Sequence, residues 1–390
     1  MINIDEPVAK QFKPALFRLG FRPFFLFGSL FSMLALLLWL LQFSGWMTLS
    51  PHGNLLWWHG HEMLFGFVCA IIVGFLLTAV QNWTGVPGLK GWPLIALFVL
   101  WLAPRLLLLD GSLLPPLAAM ILDMGFLLTA AAFMAMAVLK VKQWRNLVFV
   151  PILLLLTFFN GMSHVALMEQ NPQLAQLALK GAAMVVIMVV SLLGGRVIPF
   201  FTERATQWQR TQAVPALDVA AVVLMLTLIV SLFVGVALLT QVVAVLAGLV
   251  LLVRWSRWGW RHSFSVPLLW SLHLSFVAIP LGLLLMAAKP EVSAGLHLVT
   301  VGGMGSMILA MMARVSLGHT GRTLTPPVPM SAAFGFMIAA SVIRPLANLI
   351  PEAYLPLLFL SGMLWLVAFG LFIFYYGPML MAPRVDGRPG

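Results

Sequence analysis

Runs of apolar residues long enough to cross a bilayer follow one another from Phe24 to Tyr376, broken only by short polar stretches. A helix rises about 1.5 Å per residue, so roughly 20 residues cover the hydrocarbon core. That length predicts spans at about 23–43, 56–80, 91–109, 112–139, 147–168, 174–199, 214–238, 239–253, 266–287, 292–316, 329–350 and 353–377. The unbroken stretch from Ala216 to Val253 is too long for one crossing and predicts two, turning near Leu239-Thr240-Gln241. None of the runs shows the short alternating pattern of an outer-membrane barrel, so the spans are helices. The expected fold class is all-α, a polytopic integral membrane helical bundle of about twelve transmembrane helices. It divides into a basic amino-terminal segment, 1–22, a single transmembrane domain, 23–380, and a tail, 381–390. The histidines and Gly-rich segments do not recur at matching places, so no internal repeat is expected.

Composition agrees with the pattern. Of 390 residues 62% are hydrophobic and 8% charged, whereas a soluble domain carries about a quarter charged residues, so a water-soluble globule is excluded. The net charge of +11 comes from short loops and forms no continuous patch, which favours anionic lipid over nucleic acid. Positive residues collect on the cytosolic face. With twelve spans and both termini cytoplasmic, all 22 Lys and Arg except Arg105, Lys180, Lys289 and Arg344 fall inside. The first residues then form a retained cytosolic lead-in, since the apolar stretch after them is too long for a signal peptide. The one cysteine, Cys69, lies within an apolar run, so the chain offers neither a disulfide framework nor a covalent c-type haem attachment.

Ionisable or metal-binding side chains inside spans are costly and mark candidate sites. His59 and His61 open the second span, His164 closes the fifth and His297 opens the tenth, all at the outer ends, so four histidines share one depth. His273 enters the ninth span from the cytosolic side, His52 lies in the first outer loop, and His262 and His319 lie in inner loops. In Trp57-Trp58-His59-Gly60-His61-Glu62-Met63, positions i and i+2 are about 200° apart on a helix, so His59 and His61 face different ways. His59 then shares a face with Glu62 and Met63, while His61 points towards Leu64 and Phe65. One side suits a metal with mixed ligands and the other a flat apolar cofactor; the competing explanation is an interfacial Trp-His belt. Small residues around His164 and His297 allow either close helix packing or a planar macrocycle. Imidazole binds haem iron, copper and zinc alike. The candidate metal ligands are His59, His61, Glu62, His164, His273, His297 and His319, with His59, His61, His164, His273 and His297 as cofactor-binding residues. Met63, Met304 and Met311 would favour Cu(I). Glu62, Asp123 and Asp218 are candidate proton relays, with helix capping as the competing role for Asp218. His52 and His262 are expected to be dispensable.

Four blocks in order carry a family resemblance: Gly20-Phe21-Arg22-Pro23-Phe24-Phe25, Trp58-His59-Gly60-His61-Glu62-Met63, Gly195-Arg196-Val197-Ile198-Pro199-Phe200-Phe201-Thr202, and Arg314-Val315-Ser316-Leu317-Gly318-His319-Thr320-Gly321-Arg322. Together they resemble the NnrS family, bacterial inner-membrane proteins associated with the response to nitric oxide and regarded as haem- and copper-containing. The resemblance implies a role in nitrosative stress or denitrification. The chain departs from the haem-copper oxidases and nitric oxide reductases, having neither a His-His pair nor a His-Pro-Glu block.

The expected function is therefore a polytopic metalloprotein that binds non-covalent haem b, with copper as a second candidate metal, and handles or responds to nitric oxide. If an enzyme, it is a nitric oxide-transforming oxidoreductase. No flavin, nicotinamide or iron-sulfur motif is present, so its electrons come from quinol or a separate donor. The alternative is a membrane transporter or metal exporter using the histidine cluster as a transient site. For the topology, a reporter fused after Gly390 is expected to be active only when it requires the cytosol. Activity of a reporter that works only outside the membrane overturns the orientation.

Overall fold

A computed structural model describes residues 12–388. The first eleven residues of the expected lead-in and the last two of the tail lie outside the described residues. All the predicted spans are helices: α1 (Phe21–Phe43), α2 (Leu55–Thr84), α3 (Trp92–Leu107), α4 (Pro116–Lys140), α5 (Trp144–Met168), α6 (Pro172–Ala205), α7 (Pro215–Val234), α8 (Ala237–Ser256), α9 (Pro267–Ala288), α10 (Ala294–His319), α11 (Val328–Leu349) and α12 (Pro351–Met381). Eleven are long and apolar enough to cross a membrane, and α3, with 16 residues, is the short one. No strand occurs among the described residues.

The stretch from Ala216 to Val253 divides as expected, but at Gly235-Val236 rather than at Leu239-Thr240-Gln241. Gly235 takes φ +74°, the left-handed turn that ends α7, and a glycine reaches it without the Cβ clash any neighbour would meet. Thr240 instead sits inside α8, where its hydroxyl donates to the Ser231 carbonyl at 3.1 Å and ties the two helices across the turn.

The chain forms two compact units. One holds the chain up to Ala182 with Val315–Leu324 and the segment from Phe372 onwards; α1 packs on α2, and α4 packs along α5 and against α3. The Gly20-Phe21-Arg22 block has a structural task there. Arg22, fully buried, donates through Nη1 to the carbonyls of Leu380 at 2.8 Å and Ala382 at 2.7 Å, which α12 leaves open at its end. The other unit holds Ala183–Arg314 and Thr325–Leu371, with α9 packed on α8, α10 and α11.

The expectation of no internal repeat is corrected by α2 and α10. Each begins α-helical, widens into a π-helical stretch, Glu62–Val68 in α2 and Leu298–Gly305 in α10, and returns to α-helix. One sequence separation divides His61 from His297, Gly66 from Gly302, Thr84-Gly85 from Thr320-Gly321 and Pro93 from Pro329. Thr84 and Thr320 each return a hydroxyl hydrogen bond of 2.7 Å to the carbonyl four residues earlier, and Gly85 and Gly321 follow at φ +69° and +77°. The intervening positions are apolar and interchangeable, which is why the shared build leaves so few shared letters.

In the second unit the α9–α10 hairpin closes on a reciprocal glycine contact. A Cβ on Gly295 would stand 2.7 Å from the Gly282 carbonyl oxygen, and one on Gly282 would stand 2.9 Å from that of Gly295. Both partners are backbone and cannot swing aside. Gly295→Val is expected to cost about 1–3 kcal/mol through overpacking. It should lower the thermal unfolding midpoint of the detergent-solubilised protein by several degrees, and an unchanged midpoint would contradict this packing.

Candidate functional site

The first unit buries a polar cluster between α2, α3, α4 and α5. It begins at the start of α2, where Asn54 caps the helix by accepting from the amides of Leu56 at 3.1 Å and Trp57 at 3.0 Å. The π-helical stretch opens at Glu62, directly after His61. His61 and Glu62 are both fully buried, and Nδ1 of His61 lies 2.9 Å from Oε1 of Glu62. The wider turn swings Glu62 alongside His61, so the expected grouping of Glu62 with His59 is corrected.

Arg105 completes the charge pattern. Sequence reading put it at the outer flank, but it lies inside α3, 2% exposed, with Nη1 donating to Oε2 of Glu62 at 2.8 Å and Nη2 to Oδ1 of Asp123. Arg344, also placed outside, is likewise buried, within α11. Two carboxylates against one guanidinium leave the cluster one negative charge in excess, and burial makes such an excess costly unless a cation joins it.

The next ring of contacts brings two histidines to Asp123. Asn160 of α5 donates through Nδ2 to Oδ2 of Asp123 at 2.6 Å, so its Oδ1 is left to accept from Nε2 of His61 at 2.9 Å. The same Nε2 lies 3.0 Å from Oδ2 of Asp123. Both nitrogens of His61 therefore face oxygen acceptors. His164, one helical turn beyond Asn160, brings Nε2 to 3.4 Å from Oδ2 of Asp123, and its buried Nδ1 has no hydrogen-bond partner. His61, Asp123 and His164 each offer one donor atom within 4.8 Å of the others, the spacing of a metal-binding group.

Packing fixes these side chains. The indole of Trp57 stacks on His61, ring centroids 4.3 Å apart, and meets His164 edge-on at 5.1 Å. Gly66 lies against the ion pair, where a Cβ would stand 2.8 Å from Oε2 of Glu62 and 2.9 Å from Nη1 of Arg105. The Gly66 carbonyl accepts instead from Nε1 of Trp101 at 2.7 Å. His52 reaches the cluster from the loop before α2, buried, with its ring 5.7 Å from His164 and 5.8 Å from Trp57. Burial first, and then His164 and His61 nearby, hold it down at about 4, so it is neutral at physiological pH.

Of the expected candidates, His61, Glu62 and His164 are thus brought together. His59 stacks on Trp39 at 4.3 Å. In the second unit His297 sets Nδ1 2.8 Å from the Ser293 carbonyl. His273 is buried in α9, with Nε2 3.0 Å from Oγ1 of Thr202. Because the Thr202 hydroxyl donates to the Ile198 carbonyl at 2.9 Å, it accepts from Nε2–H of His273, and the bare Nδ1 of His273 is buried without a partner. His319 closes α10 in the first unit, its ring 5.5 Å from Phe21. Sequence reasoning missed Arg105 and His52 and gave Asp123 no partner. A charged residue beside a proline late in a short apolar span was the available signal for Arg105.

A family model described as NnrS protein matches residues 15–384, nearly the whole chain. No curated protein matches the chain.

The ion-pair geometry predicts the effect of removing its cation. Arg105→Leu leaves Glu62 and Asp123 buried without a positive partner, a change expected to cost about 3–5 kcal/mol. The variant should unfold far below the wild type in a detergent melting experiment, and melting together with the wild type would refute the central role of this guanidinium.

Proposed function

Because the chain belongs to the NnrS family, we propose that it is a metalloprotein of the bacterial inner membrane that handles or responds to nitric oxide in nitrosative stress or denitrification, with His61, His164 and Asp123 as ligands of a metal ion. The observation that carries this reading is the convergence of two imidazoles and one carboxylate within 4.8 Å, buried, in a cluster short of one positive charge. Two histidines and a carboxylate form a donor set used by iron(II) and suited also to other divalent first-row ions, copper(II) among them. The soft copper(I) ion prefers sulfur and has none among these three ligands.

A bound ion would supply an open coordination position for a diatomic guest. The chain's own groups do the rest. Arg105 holds both carboxylates in place, Asn160 orients Asp123 and His61 together, and the Trp57 ring keeps bulk water from the imidazoles. Glu62, bridged between His61 and Arg105, can hold or pass a proton at Oε1.

A haem macrocycle does not fit at His61, where the Trp57 indole stacks on the imidazole and Asp123 and Asn160 close on Nε2, whereas a bare ion needs only that Nε2 exchange its hydrogen bond for coordination. Of the other histidines proposed for it, His273 fits best. Its Nε2–H is fixed by Thr202, which leaves Nδ1 as a buried lone pair that would be free to hold a haem iron.

A metal assay and an absorption spectrum of the purified protein test this reading. His164→Ala and Asp123→Asn are each expected to lower metal retention at least about tenfold. A Soret band that disappears in His273→Ala and is extracted by acidified organic solvent would support haem b, whereas haem remaining on the chain refutes it. A colourless protein that retains no metal favours the transporter reading and overturns this one.

A further inference from the structure

At another place in the second unit, where the loop before α7 meets the end of α8, a shallow cleft opens between Gly195, Gln212, Asp218, Arg254, Arg257 and Trp258, with Arg210 also on its wall. Three guanidinium groups line it against one carboxylate. Asp218 is already spent on Arg254, accepting from Nη2 at 2.7 Å and Nε at 3.0 Å, while Nη1 of Arg254 donates to Oγ of Ser191 at 2.8 Å. Arg254 is therefore a saturated part of the wall. Arg257 donates one bond, from Nη2 to the Gln212 carbonyl at 3.1 Å, and neither it nor the exposed Arg210 pairs with a carboxylate among the described residues. Two positive charges thus face the same opening unneutralised, beside the backbone amides of Gln212 and Ala213, which donate to no backbone carbonyl among the described residues.

We propose that this cleft binds a phosphate-class anion. Guanidinium groups match phosphate oxygens with paired, charge-assisted hydrogen bonds, and Arg210 and Arg257 keep enough free N–H groups to supply them. The surroundings favour the phosphodiester of an anionic lipid headgroup as its source. Arg254 lies over the ring of Trp258 at 5.5 Å, Trp255 stacks on Trp260 at 5.2 Å, and Arg261 covers Trp260 at 5.3 Å. Tryptophan and arginine mixed in this way at helix ends mark the headgroup level of a bilayer. Free phosphate is the other source of the same chemistry.

The test uses the full chain in detergent, comparing wild type with the double variant Arg210→Gln, Arg257→Gln. Both sites are outside the Arg254–Asp218 pair, so the wall stays intact, and matching unfolding midpoints check this. Native mass spectrometry with phosphatidylglycerol and with phosphatidylcholine reads lipid adducts, and titration calorimetry reads inorganic phosphate. The wild type is expected to bind phosphatidylglycerol in preference to phosphatidylcholine, with affinity at least about tenfold above the double variant. Binding of inorganic phosphate, lost in the variant, without preference between the two lipids supports the site with free phosphate as its occupant. Equal phosphatidylglycerol binding by wild type and variant, with no phosphate uptake by either, overturns the proposal.

Discussion

One guanidinium fixes the interior of the first unit. Arg105, enclosed in α3 and 2% exposed, joins Glu62 of α2 to Asp123 of α4. In a low-dielectric interior such a pair is worth little as a source of net stability, because desolvation offsets most of the attraction. Its value is positional. Once Arg105 is in place, Glu62 and Asp123 have one arrangement each, and through them so do His61, Asn160 and His164. The excess of carboxylate over guanidinium in this network is the feature on which the proposed metal site rests.

The local backbone is shaped to allow this. The π-helical stretch widens the turn, offers the Gly66 carbonyl to Trp101, and leaves the space at Gly66 that the guanidinium occupies. The same build recurs in α10, where Gly302 faces Ala278 and Ser341 and Gly305 faces Trp365. There glycine serves close helix packing, and no carboxylate stands at the place corresponding to Glu62, which is Leu298. One helix design therefore carries a buried carboxylate, Glu62, in the first unit and an apolar residue, Leu298, at the matching place in the second.

The two units also place their arginines differently. Arg105 is spent wholly within the bundle, whereas the arginines around α8 gather at a helix end among tryptophans, with Arg210 and Arg257 left to a guest. Burial decides which behaviour a given arginine shows. An enclosed guanidinium must find its hydrogen-bond acceptors inside the chain, carboxylates for Arg105 and carbonyls for Arg22, and one at the headgroup level can borrow them from its surroundings.

The sequence by itself determined the helical class and the number and positions of the spans, because an apolar run must satisfy its backbone internally and its length is set by the bilayer. It also marked His61, Glu62 and His164 as costly inside a membrane. It did not pair them correctly: depth along a helix follows from residue number, but facing depends on the exact turn, and a π-helical stretch in α2 changes that turn without a distinctive letter to announce it. Likewise Asp123 and Asn160 became neighbours of His61, and Arg105 moved from a flank to the centre, through the packing of α3, α4 and α5 against α2. Contacts between residues this far apart in the chain follow from which helix faces meet, and the hydrophobic pattern of a nearly uniform apolar helix carries no record of its own orientation.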